Sequence, residues 1–164
     1  MSVWGYSFGG SIARYLGSWS HRVQAIAVIG VPFGRAVHEE FDRFIDEFIE
    51  KYEPLARASN KESLNERKRR STIKAHIPVW VACFQAMPSW PSIAAADLDC
   101  AALLLAGSRN NSVMEWLKNN DQSLESAEIQ VEIIAGLTHQ QEFTKINQVF
   151  PIVRSFFEKN CLQP

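Results

Sequence analysis

The stretch Gly5-Tyr6-Ser7-Phe8-Gly9 lies near the start of the chain, and Gly10 follows it directly. Residues 1–5 are short and mostly apolar, whereas apolar side chains recur at helical spacing within residues 9–16. We therefore expect a strand, a sharp turn at Ser7 and a helix. Glycines two positions on either side of Ser7 would let the backbone turn tightly without side-chain collisions, so that the hydroxyl stands exposed at the helix N-terminus. A glycine-rich phosphate loop or a plain turn is the alternative, but no lysine or acidic partner supports the phosphate loop.

Strands and helices are predicted to alternate along the rest of the chain. Three further apolar runs have a glycine at or near their end, which is typical of buried strands, and they span residues 23–31, 101–106 and 129–135. Helices are expected over 113–119 and near the C-terminus, where Pro151 suits the first turn. The alternation predicts an α/β fold with a mostly parallel sheet of about four strands, flanked by helices.

A helical insertion is predicted to divide these elements. Apolar residues recur at three and four positions over 35–52, which predicts an amphipathic helix that Pro54 ends, and a second helix is expected over 79–87. We therefore expect residues 1–33 and 96–164 to form the core and residues 34–95 to form the insertion. Six aromatic side chains of the insertion would favour an apolar substrate portion, or would only pack the insertion against the sheet: Phe41, Phe44, Phe48, Trp80, Phe84 and Trp90.

Composition and charge narrow the possible functions. The 164 residues are 46% hydrophobic and 21% charged, as in one soluble domain, and the net charge of −1 favours neither nucleic acid nor anionic membrane as a partner. The basic run at 67–70 predicts a solvated helix face; nucleic-acid binding there is the alternative, and it would depend steeply on salt. No segment is apolar enough to span a bilayer or to form a signal peptide. Three widely spaced cysteines predict a reduced, cytoplasmic protein with no metal or cofactor.

A serine hydroxyl needs a base to become a nucleophile, and histidine suits that task at neutral pH. His139 follows the last predicted strand, at the edge where ligands gather in parallel sheets. The other histidines lie in a loop or in helical segments with mainly charged neighbours or with neighbours that have only a structural role. We therefore expect His21, His38 and His76 at the surface. Ser7 and His139 are therefore the candidate nucleophile and base.

The order of these motifs resembles the C-terminal half of the α/β-hydrolase family over nearly the whole chain. The similarity lies in Gly-Tyr-Ser-Phe-Gly-Gly at 5–10, Leu-Leu-Leu-Ala-Gly at 103–107 and Ile-Ile-Ala-Gly-Leu-Thr-His at 133–139. It implies a partial α/β-hydrolase fold in which residues 34–95 form a cap. It also implies a serine-dependent hydrolase that cleaves a small-molecule ester or related acyl bond through an acyl-enzyme. Ser7 would be the nucleophile, His139 the general base and then acid, and the Phe8 amide an oxyanion donor, with Tyr6 against the substrate.

Two features depart from the family's pattern. Gly107-Ser108-Arg109-Asn110 stands where the family has Gly-x-x-Asp, whose aspartate orients the histidine. The oxygen of Asn110 can accept a bond from the imidazole but cannot offset its positive charge, and Glu115 and Asp121 are the alternative acids. The chain also starts almost at the serine turn, so the first strand is expected at an exposed edge. A fragment is our expectation; the alternatives are pairing with another chain, including a homodimer, and an impaired relic that serves as a binding or scaffold domain.

Overall fold

The computed structural model describes residues 1–34, 45–50 and 77–161, apart from the side chains of Ile77 and Asp121. The chain divides into two compact units, one formed by residues 1–34 and 93–164 and the other by residues 35–92. Most of the predicted helix over 35–52 lies outside the described residues, as do the following predictions: the basic run 67–70, His38, His76, Phe41 and Phe44.

The first unit is built on a parallel sheet of four strands in the order β1-β2-β3-β4. The strands are β1 Ser2–Tyr6, β2 Ala25–Ile29, β3 Ala101–Gly107 and β4 Gln130–Ile134. β2 and β3 lie in the centre and are apolar on both faces, as expected for strands covered on both sides. β1 forms one edge of this sheet. The predicted four-stranded parallel sheet is confirmed.

Five helices lie within the described residues, in the chain order α1 Phe8–Trp19, α2 Ile77–Ala86, α3 Asn111–Ser126, α4 His139–Thr144 and α5 Ile146–Cys161. Residues 45–50 are also helical. The prediction that Pro151 lies in the first turn of the last helix was wrong. α5 begins at Ile146, with one residue between it and α4, so a full turn precedes the proline.

Apolar side chains of alternate strand residues pack on opposite faces of the sheet. One cluster joins Ile26, Val28 and Leu104 to Val113 and Leu124 of α3. The other is formed by the intervening strand residues and one side of α5: Ala25, Ala27, Ile29, Leu103, Leu105, Val149, Val153 and Phe156. The sheet is therefore fixed from both sides, and its carboxyl ends are held at defined positions.

The second unit contains an aromatic cluster. The ring of Phe48 lies 4.9 Å from that of Phe84 and 6.4 Å from that of Trp80, measured between centroids. Phe84 is buried, as are Ile45, Val81 and Met87. These aromatic residues thus pack on one another within their own unit; their contact with an apolar substrate, and the role of residues 34–95 as a cap, stay predictions.

None of the helices among the described residues could cross a membrane.

A buried arginine connects α1 to the turn after β2. Arg14 is 2% exposed, and its guanidinium donates to the carbonyl of Pro32, to that of Gly34 at 3.3 Å, and to Ser11 Oγ at 2.9 Å. Burial lowers the pKa of Arg14 to about 10, so the side chain stays charged at neutral pH. Arg14 therefore anchors the segment that leaves the central strand.

We expect Arg14→Leu to lower the free energy of unfolding by about 2–3 kcal/mol, because two main-chain carbonyls lose a charged donor. Urea denaturation would measure the loss. Ser18→Ala, at a half-buried position in the last turn of the same helix, is the control and should change stability by less than about 0.5 kcal/mol. Equal midpoints for Arg14→Leu and the unmodified chain would contradict this role.

Candidate active site

Ser7 occupies the sharp turn between β1 and α1. Its φ of 53° and ψ of −120° are unusual for a residue with a side chain, and they mark the strained backbone of such a turn. The backbone N–H of Ser7 donates to the carbonyl of Ile29 at 2.9 Å, and its carbonyl accepts from Gly10 at 2.8 Å. These bonds fix the turn at the carboxyl end of the sheet and place the serine at the N-terminus of α1.

Two of the neighbouring glycines are required by close packing. A Cβ at Gly5 would collide with the carbonyl of Gly9, and one at Gly10 would lie 2.7 Å from Val31 Cγ2. A Cβ at Gly9 would meet nothing within 4 Å. The expected steric need for glycine is therefore confirmed at Gly5 but wrong at Gly9, since the crowding falls on Gly10, where α1 packs on β2.

The structure brings the predicted nucleophile and base together. His139 Nε2 lies 3.1 Å from Ser7 Oγ, although 132 residues separate them. His139 is the first residue of α4, which Thr138 caps: the Thr138 Oγ1 accepts from the Gln141 N–H at 3.4 Å, and the Thr138 N–H donates to Gln141 Oε1 at 3.0 Å. The side chain of His139 is 42% exposed, so a ligand can reach it. His21 lies at the surface, as predicted.

Tyr6, the last residue of β1, packs against the imidazole. Its ring stacks on that of His139 with centroids 4.8 Å apart, and its hydroxyl donates to the His139 carbonyl at 2.8 Å. Burial and the neighbouring Glu142 carboxylate raise the pKa of Tyr6, so the hydroxyl stays protonated at neutral pH. The described contacts of Tyr6 thus hold His139 in place, and its contact with a substrate stays a prediction.

Glu142 is the third residue of the site, and it was not among the residues predicted from the sequence. Its Oε2 lies 2.9 Å from His139 Nδ1, and the residue is 1% exposed. The other oxygen, Oε1, accepts from the Gly107 N–H at 2.7 Å and from Asn110 Nδ2 at 2.9 Å. The capping pattern Thr138-x-x-Gln141 was the signal that could have found Glu142: it starts a helix at His139 and so places residues 139 and 142 on one face.

Asn110 does not make the predicted bond from the imidazole to its side-chain oxygen. That oxygen accepts from the Val113 N–H at 3.4 Å, as the N-cap of α3, while Nδ2 donates to the Gly30 carbonyl at 3.0 Å. Nδ2 faces two oxygen acceptors, Gly30 O and Glu142 Oε1. If the amide group were rotated by 180°, its oxygen would face these two oxygens instead. Glu115 is exposed on α3 and Asp121 lies outside the described side chains; the carboxylate bonded to His139 belongs to Glu142.

Gly30 provides the room for this cluster at the end of β2. Its φ is 76°, and a Cβ there would lie 2.7 Å from His139 Nδ1 and would collide with Glu142 Oε2. The chain of contacts Ser7–His139–Glu142 can move a proton from the serine to the imidazole while the carboxylate faces the positive charge that forms. Among the described residues, no group of three His, Cys, Asp or Glu side chains could hold a metal ion.

The four parallel strands, the strained serine turn between β1 and α1, and the histidine after β4 together define the architecture. The chain has a partial α/β-hydrolase fold. No family model matches the sequence, and no curated protein matches it significantly.

Solved structures agree with this assignment. A structure described with carboxylesterases of the thaumarchaeon Nitrososphaera gargenis matches 94% of this chain and 63% of its own, with a TM-score of 0.67 and 19% identity. MGS-M2, an α/β hydrolase from a Medee basin deep-sea metagenome library, matches 99% and 66%, with a TM-score of 0.66 and 12% identity. A bromoperoxidase from Bacillus anthracis matches 96% and 67%, with a TM-score of 0.58 and 16% identity. The chain thus spans about two thirds of the length of these proteins.

Proposed function

We propose that this chain carries the catalytic centre of a serine hydrolase that cleaves an ester or a related acyl bond of a small molecule. The observation that carries the proposal is the 3.1 Å contact between Ser7 Oγ and His139 Nε2 at a strained turn. Ester chemistry is favoured because a structural neighbour is described as a carboxylesterase. The three cysteines of the described residues are free, which supports a reducing, cytoplasmic setting.

The reaction would run in two stages. His139 Nε2 takes the proton of Ser7 as Oγ bonds to the acyl carbon, and the imidazolium then returns that proton to the leaving oxygen as the ester bond breaks. Water then gives a proton to the same nitrogen as its oxygen bonds to the acyl carbon, and the imidazolium returns that proton to Ser7 Oγ as the acyl bond to the serine breaks, which releases the acid and the free serine. Each stage develops negative charge on the acyl oxygen. Phe8, the first residue of α1, would present its amide and the helix N-terminus to that charge.

Pairing of β1 with a further strand is part of this proposal. β1 has one neighbour in the described sheet, and Trp4 on it is 43% exposed beside the ring of Phe150, with centroids 6.2 Å apart. An apolar surface next to an open strand edge suits the addition of another strand, from a second copy or from another chain.

Labelling with a fluorophosphonate tests the function, because this reagent phosphonylates a serine that a neighbouring base activates. We expect the folded protein to be labelled at Ser7 and Ser7→Ala to lose the label entirely, since no other nucleophile stands beside His139 Nε2 in the described contacts. Ser18→Ala, in the last turn of α1, should be labelled like the unmodified protein.

The alternative function, a binding or scaffold domain that has lost catalysis, predicts a different result. Folded protein would then remain unlabelled under conditions that label a serine esterase completely. Mass spectrometry of the labelled peptide would locate the adduct, and an adduct on any residue except Ser7 would count against the proposal.

A further inference from the structure

We propose that the acid of the catalytic triad has moved in this chain from the usual strand end to Glu142, one helical turn after the histidine, and that Asn110 is the residue that positions it. This inference rests on the proposed function. The observation behind it is the shared contact of Glu142 with His139 Nδ1 and with Asn110 Nδ2, both at 2.9 Å.

The number of hydrogens that Asn110 can donate determines which nitrogen of the imidazole carries a hydrogen. Asn110 Nδ2 has two hydrogens, and the Gly30 carbonyl and Glu142 Oε1 accept them at 3.0 and 2.9 Å. The same nitrogen lies 3.3 Å from His139 Nδ1, but it has no further hydrogen to donate there. Nδ1 must carry its own hydrogen and donate it to Glu142 Oε2, which leaves Nε2 free to accept from Ser7. This is the tautomer that a serine hydrolase requires.

The surroundings of Glu142 suit a carboxylate. Donors reach both oxygens: the Gly107 N–H and Asn110 Nδ2 at Oε1, and His139 Nδ1 at Oε2. A buried carboxylate is tolerated when such donors replace its water. Its negative charge lies against the imidazole ring nitrogen that faces away from Ser7, where it stabilises the imidazolium that forms during each proton transfer.

The amide at position 110 then has a function of its own. An aspartate there would lie within hydrogen-bond distance of the Glu142 carboxylate and would offer no hydrogen to the Gly30 carbonyl. The asparagine that replaces the family's aspartate thus donates a hydrogen bond to the carboxylate that α4 supplies. Asn110 acts through Glu142 and has no described contact with Ser7.

An exchange of the two side chains tests the inference. With p-nitrophenyl acetate as substrate, Glu142→Gln should lower kcat by about 10³–10⁴, with little change in KM, as when a triad acid becomes an amide. Asn110→Asp should also lower kcat, because it places two carboxylates together. The double variant Asn110→Asp/Glu142→Gln restores one carboxylate and one amide, and should recover at least about tenfold in kcat over Glu142→Gln.

The pH profile distinguishes a catalytic charge from a structural one. Besides Glu142, the described titratable group against the imidazole is Tyr6, whose pKa is raised by burial and by Glu142. Loss of the Glu142 charge disfavours the imidazolium, so the acidic limb of kcat/KM in Glu142→Gln should move to lower pH, whereas a packing role would leave it unmoved.

Each outcome has a clear reading. Ser7 labelling in the unmodified protein, with a loss in Glu142→Gln that the double variant partly reverses, supports the inference. Labelling at the same rate in Glu142→Gln and the unmodified protein overturns it while the proposed function stands. A double variant no better than Glu142→Gln also overturns it. Should Glu142→Gln not fold, as circular dichroism would show, the recovery is measured against Asn110→Asp, and failure to exceed that variant overturns the inference.

Discussion

Replacing His139 with alanine is expected to lower kcat/KM for p-nitrophenyl acetate by about 10⁶, as when the base of a serine hydrolase is removed. Without the imidazole 3.1 Å from its Oγ, Ser7 keeps its proton and remains a poor nucleophile. Steady-state hydrolysis over a range of ester concentrations would measure the loss, together with the second-order rate of fluorophosphonate labelling.

His21→Ala serves as the matched control, because it removes an exposed histidine from the same unit. It should leave both rates unchanged. A His139→Ala variant that retains more than about a hundredth of the original kcat/KM would rule out His139 as the general base, since such catalysis contributes about 10²–10⁴ by itself.

Gly30→Ala is expected to lower both the stability and the activity of the protein. The added Cβ would collide with Glu142 Oε2 and lie 2.7 Å from His139 Nδ1, at a backbone φ of 76°. The buried carboxylate would have to leave its donors, so we expect a loss of about 3 kcal/mol in the free energy of unfolding and a fall of about 10³ in kcat/KM. Urea denaturation and ester hydrolysis would measure the two losses.

Gly136→Ala separates the collision from the strained backbone. Gly136 has a φ of 77°, almost that of Gly30, but a Cβ there would meet nothing within 4 Å. This control should lose only about 1 kcal/mol, the conformational cost of a positive φ, and should keep its activity. Similar losses of stability and activity in the two variants would show that Gly30 makes no special room for the histidine and its acid.

Features that depend on local sequence could be predicted well. Runs such as Ala101–Gly107 are apolar throughout, which is the pattern of a strand covered on both faces, and a glycine-flanked serine after a short strand indicates a sharp turn. The pairing of Ser7 with His139 followed from strand order, because parallel strands bring their carboxyl ends to one edge.

The acid could not be found in the same way. The usual position of the acid in α/β-hydrolases is occupied here by Asn110, and residues 139–144 were not predicted to form a helix. Whether Glu142 reaches the imidazole depends on where α4 starts and on the space that Gly30 leaves at the end of another strand. Helix boundaries are weakly encoded, as the misplaced first turn around Pro151 also shows.

The open edge of β1 bears directly on the serine, because β1 leads into the turn that carries it. Within the described sheet, β1 has main-chain hydrogen bonds to β2 alone, so β1, like the other edge strand β4, would open locally more readily than the central strands. Each opening would withdraw the hydroxyl from the imidazole, which is held from the far side of the sheet by β4 and α4. Under the proposed function, a strand that pairs with β1 would therefore hold the nucleophile in place, and turnover would rise with the fraction of molecules in which that pairing is made.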